Sequence, residues 1–273
     1  MIKNDPLIEL IRRTHVPRGV TFHYDRPNSN QFGPTMILGS NKIILGKKLV
    51  DWGRLGVNFK EVAEGKVFLF RPAKIRNKTK NKLLCRIATD ADFSAMYFLW
   101  KQYSANRNLT RVYPDLWDFS KSYINTPGVS INRTLLVFDG VSLVAMFSLW
   151  DQSSIHRIVV TQKSMFMRVV SRFITLPEVG EELKVIFSFQ HAYLENHPLC
   201  GLALENLIAK ARTISHKMGA QLFSIGLDRR DSLFQLFQKS ATLANSVKII
   251  LDLKGNPEFE ASTSPIHLEV GMG

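Results

Sequence analysis

Apolar positions along the chain alternate between a spacing of two and a spacing near 3.6 residues, so strands and helices are expected in turn. Thr89-Asp-Ala-Asp92 has the spacing of a capping box, and Ala91, Phe93, Met96, Tyr97 and Trp100 follow as a helical stripe. A second helix is expected from Pro114 to Tyr123, carrying Leu116, Trp117, Phe119 and Tyr123. Thr134 to Phe138 and Val141 to Trp150 are apolar runs separated by Asp139-Gly140, a strong hairpin signal. Ser154 to Thr161 reads as a further strand, and Ser164 to Ile174 as either a helix or a loop.

The clearest stretch is Lys184 to Phe237. Lys184 to Ala192 is expected as a strand. Leu202, Leu204, Leu207, Ile208, Ala211, Ile214 and Met218 recur at helical spacing, and Gly219 is a natural stop. Ala220 to Leu227 is the next strand. Asp231 can cap a short helix with Leu233, Phe234, Leu236 and Phe237, and Val247 to Leu253 is the last strand. Strands alternating with helices, plus one hairpin, predict an α/β fold with helices on the faces of a mixed sheet.

Ahead of residue 71 the signals are thinner. Leu7 to Arg13 can end a helix; Gly19 to Tyr24, Ile37 to Leu45 and Lys66 to Phe70 are strand candidates; 25–30 is turn chemistry. Residues 71–82 hold six basic residues and no acid, which reads as a linker or an exposed patch for a polyanion. A small unit at 1–78 and a larger domain at 79–273 are therefore expected.

With 273 residues, 45% of them hydrophobic, the chain can bury a substantial core. Lys and Arg number 36 against 23 Asp and Glu, a net +13. Such a basic protein suits an anionic partner: nucleic acid, anionic lipid or a phosphorylated cofactor. Cys85 and Cys200 form no CxxC pair, which excludes a disulfide framework and suggests free thiols in a reducing compartment. No run of 18 apolar residues is present and the N-terminus lacks signal-peptide character, so a cytoplasmic location is expected.

The order of elements from residue 84 resembles that of the GNAT superfamily, the acyl-CoA-dependent N-acyltransferase fold. The hairpin GVSLVAMFSLWDQ and the stretch LIAKARTISHKMGAQLFSIGLDRRDSLFQLFQK are similar to segments of tandem-domain GNAT-like proteins. The front segment GVTFHYDRPNSN resembles the tail of a first such domain, implying a tandem protein with a partial N-terminal GNAT-like unit. The resemblance implies a bulged fourth strand that splays from the fifth and offers its backbone to the pantetheine arm. The pyrophosphate then rests on amides at the start of the next helix. In this register the implied contacts are Ala192 and Tyr193 on the strand, with Cys200, Gly201, Leu202 and Ala203 at the helix start. The motif Gln/Arg-x-x-Gly-x-Gly/Ala is met by Gly201 and Ala203, while Pro198 stands in its leading position.

For chemistry, His191 and Glu195 lie where a base for the amine would serve, and His197 is a third candidate. These three form H-x3-E-x-H, whose spacing does not put them on one helix face, so no metal is expected. The tyrosine acid found in the family after the fifth strand has only Phe234 and Phe237 as counterparts. The implied function is N-acyl transfer from acetyl-CoA or another acyl-CoA to an amine acceptor. The departures keep open a catalytically inactive GNAT-like binding module, and the basic linker keeps open a transferase that uses aminoacyl-tRNA.

Overall fold

The computed structural model describes residues 20–22, 35–39, 59–74, 83–108, 110–155, 158–160, 177–252 and 264–268. The expectations at 7–13 and 164–174, and most of the basic stretch 71–82, lie outside them. The chain forms two compact units: Val67–Ala244 with Ser262–Gly271, and Met1–Lys66 with Asn245–Ala261 and Met272–Gly273.

In the smaller unit β1 (Val20–Phe22) runs antiparallel to β2 (Thr35–Gly39), and β2 pairs antiparallel with Val247–Leu251 of β9 (Leu243–Asp252). The chain passes between the units within β9 and within β3 (Phe59–Phe70).

The larger unit is a mixed sheet. Its order runs β4 (Leu84–Ile87), β5 (Thr134–Asp139), β6 (Ser142–Asp151), β7 (Val185–Tyr193), β8 (Leu222–Asp228) and then the Val67–Phe70 end of β3. Neighbours from β4 to β7 are antiparallel, whereas β7 and β8 are parallel. A parallel pair needs a crossover, and α3 (Cys200–Lys217) supplies it. Ala203, Leu204, Leu207, Ile208 and Ala211 form its buried stripe, and it stops at Gly219, where φ is +71°. That left-handed conformation is cheap for glycine alone.

The β5–β6 hairpin turns at Asp139-Gly140-Val141-Ser142, with Asp139 opposite Ser142 and φ +57° at Gly140. Gly140 is the first of two loop residues, where a tight hairpin needs a positive φ. Helix α1 (Phe93–Ala105) buries Met96, Leu99, Trp100 and Tyr103. Ahead of it the Thr89 amide and hydroxyl both donate to Asp92, which also takes two bonds from Arg86 at 2.7 and 2.6 Å. Helix α2 (Leu116–Asn125) is capped by Asp115, and α4 (Phe234–Ser240) packs Phe234 and Phe237 onto Phe68. This is the α/β architecture expected from the sequence. Of the strand expected at 154–161, residues 156, 157 and 161 lie outside the described ones, and 158–160 bridge antiparallel to 180–183 through Val159 and Glu182.

Candidate active site

The site begins with an irregularity in β7. Met146 pairs with Ala192 but Ser148 pairs with Phe189, so β7 carries one extra residue opposite Phe147. The bulge is at Gln190, whose φ of +49° is unusual for a residue with a side chain. Buried hydrogen bonds from its amide nitrogen to the Ser122 hydroxyl (2.9 Å) and the Tyr113 hydroxyl hold the side chain there. β7 and β8 pair only from Val185–Leu222 to Phe187–Ser224. Beyond Phe187 the parallel ladder ends, and the strands carry on without it to Tyr193 and Asp228.

After β7 the chain turns through Leu194–His197 into α3. The first amides of a helix have no acceptor inside it. Here the Cys200 amide donates to the His197 carbonyl (2.9 Å) and the Ala203 amide to the Leu199 carbonyl (2.8 Å). Gly201 and Leu202 have no amide partner among the described residues. A Cβ built on Gly201 meets nothing within 4 Å. Glycine is therefore not needed there to relieve crowding, and it leaves room in front of the helix start. Pro198 lacks an amide, so that one contact of the motif is absent. The Cys200 thiol is buried and pushed up to about 12, by burial first and by Glu195 and Asp231 next, which rules it out as a thiolate nucleophile at neutral pH.

The candidate residues go to different places. Ala192 and Tyr193 are buried on the last part of β7. Glu195 pairs with Arg107. His197 turns the other way: its Nδ1 accepts from the Leu199 amide (3.2 Å), and its Nε2 lies 3.6 Å from Asp139. His191 is buried against Tyr103. Thus His191 packs on Tyr103 and Glu195 pairs with Arg107, which covers Tyr103, while His197 faces Asp139 instead; among the described residues no three His, Cys, Asp or Glu side chains form a metal-binding group.

What the sequence did not disclose is a buried polar cluster built around Arg107, just past α1. Its guanidinium lies 2.8 Å from the buried Asp231 carboxylate and donates to the Tyr193 hydroxyl (3.1 Å) and to Glu195. It also covers the Tyr103 and Tyr193 rings at 4.2 and 5.2 Å. The Tyr193 hydroxyl in turn donates to Asp231, which accepts the Leu233 amide (2.9 Å) as well. Burial pushes the Tyr103 and Tyr193 hydroxyls up, so both stay protonated donors. Tyr103 and Tyr193 lie on α1 and β7, whereas α4 carries Phe234 and Phe237. The sequence pointed to Asp231 as a helix cap and to Tyr193 and Glu195 as site candidates, but not to Arg107 or Tyr103, nor to the contact that joins them.

A second feature closes the same side. Segment 264–268 lies between Asn108 and Asp228. The Asn108 amide donates to the Pro265 carbonyl (2.9 Å), the His267 amide to the Asn108 carbonyl (3.0 Å), and the Ile266 amide to Asp228 (2.9 Å). This sets His267 over His191, with ring centres 4.4 Å apart.

No protein-family model and no curated protein sequence matches this chain. Solved structures do. A GCN5-related N-acetyltransferase from Sphaerobacter thermophilus aligns over 90% of this chain and 64% of its own, with a TM-score of 0.50 and 10% identity. One from Kribbella flavida aligns over 81% and 68%, at 0.46 and 12%. Saccharomyces cerevisiae N-myristoyltransferase with bound myristoyl-CoA aligns over 70% and 48%, at 0.45 and 11%. The chain spans about half the length of that N-myristoyltransferase and about two thirds of the two acetyltransferases. At such identities the likeness concerns the fold, which is the GNAT-like acyl-CoA N-acyltransferase fold.

Proposed function

We propose that this GNAT-fold chain is an N-acyltransferase that moves an acyl group from acyl-CoA to an amine. The observation that carries the reading is the pair formed by the β7 bulge and the end of the β7–β8 ladder at Phe187–Ser224. Together they leave one edge of Phe189–Tyr193 without a ladder partner on the β8 side, directly before a helix start with two unclaimed amides. A pantetheine arm adds to such an edge as a strand does, and a pyrophosphate suits the Gly201 and Leu202 amides and the positive end of α3. The net charge of +13 favours the approach of the same anion.

The acceptor amine belongs on the α1 side, where His191, Tyr103, Tyr193 and the Arg107 cluster converge. Attack forms the C–N bond and breaks the C–S bond; the amine proton must leave and the thiolate must gain one. Acetyl-CoA is the simplest donor. The close packing of 264–268 over His191 favours a second reading, a GNAT-like module that binds acyl-CoA without turnover. The test is release of CoA from acetyl-CoA against a panel of small amines and peptides, for the wild type and for Gly201→Glu. Amine-dependent release that Gly201→Glu abolishes supports the transferase. Binding without release under every amine supports the module, and unchanged release by Gly201→Glu overturns the proposed cofactor position.

A further inference from the structure

His191 follows the β7 bulge directly, and neither of its ring nitrogens has a hydrogen-bond partner among the described residues. His267 is in the same state at Nε2, while its Nδ1 meets the Tyr103 hydroxyl at 3.2 Å. A buried polar atom left unpaired loses its hydration without replacement, so three in one contact are a cost that packing alone does not require. Phenylalanine would fill the same space without it. The rings are held tightly: His267 stands edge-on to Trp100 at 5.2 Å and Tyr103 at 5.6 Å, and its backbone is pinned through Asn108 and Asp228. Two imidazoles are thus fixed, unpaired, on the acceptor side of the bulge.

We propose that His267, delivered by Ser264–Leu268, takes the proton from the acceptor amine, with His191 as its buried neighbour. This rests on the acyltransferase reading above. As the amine nitrogen bonds to the thioester carbon, its proton passes to His267 Nε2. The C–S bond then breaks, the thiolate leaves, and the same proton goes on to sulfur, so the products are amide and free CoA thiol. In this conformation Nε2 is covered, and acceptor binding must open the wall that Ser264–Leu268 makes.

The surrounding groups suit that role. His267 faces Tyr103, Trp100 and His191, with Arg107 over the Tyr103 ring and Asp228 bound to the neighbouring Ile266 amide. Burial, then Arg107, holds the His267 imidazole down to about 3. Burial, then His267 and Arg107, holds His191 well below the usual range. Both rings are therefore neutral at pH 7, and with Nδ1–H of His267 donating to the Tyr103 oxygen the lone pair lies on Nε2. Because burial is the main cause of the low value, His267 becomes basic enough to take the proton only when acceptor binding relieves that burial.

The test uses the full chain with His267→Asn, which keeps a polar partner for Tyr103, and His267→Phe, which keeps the ring. Acetyl-CoA affinity is read by calorimetry, and kcat and KM by CoA release between pH 6 and 9. The expectation is acetyl-CoA affinity within about twofold of wild type, and a kcat lower by roughly 100-fold or more in both variants. The deficit should shrink as pH rises, because hydroxide from solution takes over part of the missing base's role. Near-wild-type kcat in either variant, or a deficit that is equal at all pH values, overturns the role of His267. If the wild type binds acetyl-CoA but releases no CoA with any amine, or does not bind it, the acyltransferase reading itself falls and takes this role with it.

Discussion

Replacing Arg107 by Met tests whether the buried cluster holds the site together. Methionine keeps most of the apolar stem and removes the charge. Asp231 is then left in a site where both side chains were 1% exposed. Breaking a buried ion pair by removing one partner costs about 3–5 kcal/mol. Asp231 keeps two donors, the Tyr193 hydroxyl and the Leu233 amide, so the low end of the range is expected. The lost stacking on Tyr103 adds to it by roughly 0.5–2 kcal/mol. For a unit of this size about 3 kcal/mol corresponds to a Tm lower by roughly 6–12 °C. Urea denaturation followed by tryptophan fluorescence measures it, with Trp100 close to the cluster. Asp231→Asn in the Arg107→Met background should recover roughly 1 kcal/mol or more, since it removes the orphaned charge. A cost for Arg107→Met below about 1 kcal/mol, or a double variant that costs the full sum of its parts, would refute the account of a buried, coupled pair.

Other perturbations separate the remaining causes. Gly128 and Gly219 both have positive φ, at +83° and +71°, but a Cβ on Gly128 would lie 1.9 Å from the Asp151 carbonyl oxygen while one on Gly219 meets nothing. Gly219→Ala should cost about 1–2 kcal/mol in chemical denaturation, and Gly128→Ala clearly more; equal costs would mean that the close approach is not a constraint. Stability should fall as pH drops from 7 towards 4, because the unfolded chain protonates His191 and His267 near pH 6.5 and the folded chain resists. The slope is up to ~1.4 kcal/mol per pH unit for each histidine, and His267→Phe should remove one histidine's share. Asp92 acts in the same direction at lower pH and for another reason: hydrogen bonds from Arg86 hold its carboxyl well below the usual range. Its contribution is complete above about pH 4 and fades as pH falls further, so Asp92→Asn should flatten that part of the curve.

The succession from β7 through α3 to β8 was legible because each element is long, strongly periodic and ended by a glycine or a turn. The Asp139-Gly140 hairpin and the Thr89 capping box were legible for the same reason: each is a local rule satisfied by adjacent residues. A bulge in the strand before α3 was implied by the family resemblance, but its place at Gln190 was not legible, since the side chain is held by Tyr113 and Ser122 from far along the chain. Trp117 shows the limit of periodicity, for it sits in the helical stripe yet is 64% exposed. The buried cluster was illegible for a deeper reason. Tyr193 and Asp231 were noted for other reasons, but Arg107, Tyr103 and His267 lie in separate elements and look ordinary among their own neighbours. Their meaning comes from burial, which takes unlike charges and unpaired nitrogens out of water together. By contrast Gly201 was visible as a motif residue, and the structure adds that open space stands before it.

The measurement that bears most directly on the central claim is calorimetric titration of the purified chain with acetyl-CoA and with free CoA, at low and at moderate salt. The account predicts saturable one-to-one binding that survives moderate salt and weakens by roughly tenfold or more in Gly201→Glu. Binding that disappears with salt, or that Gly201→Glu leaves unchanged, would contradict it.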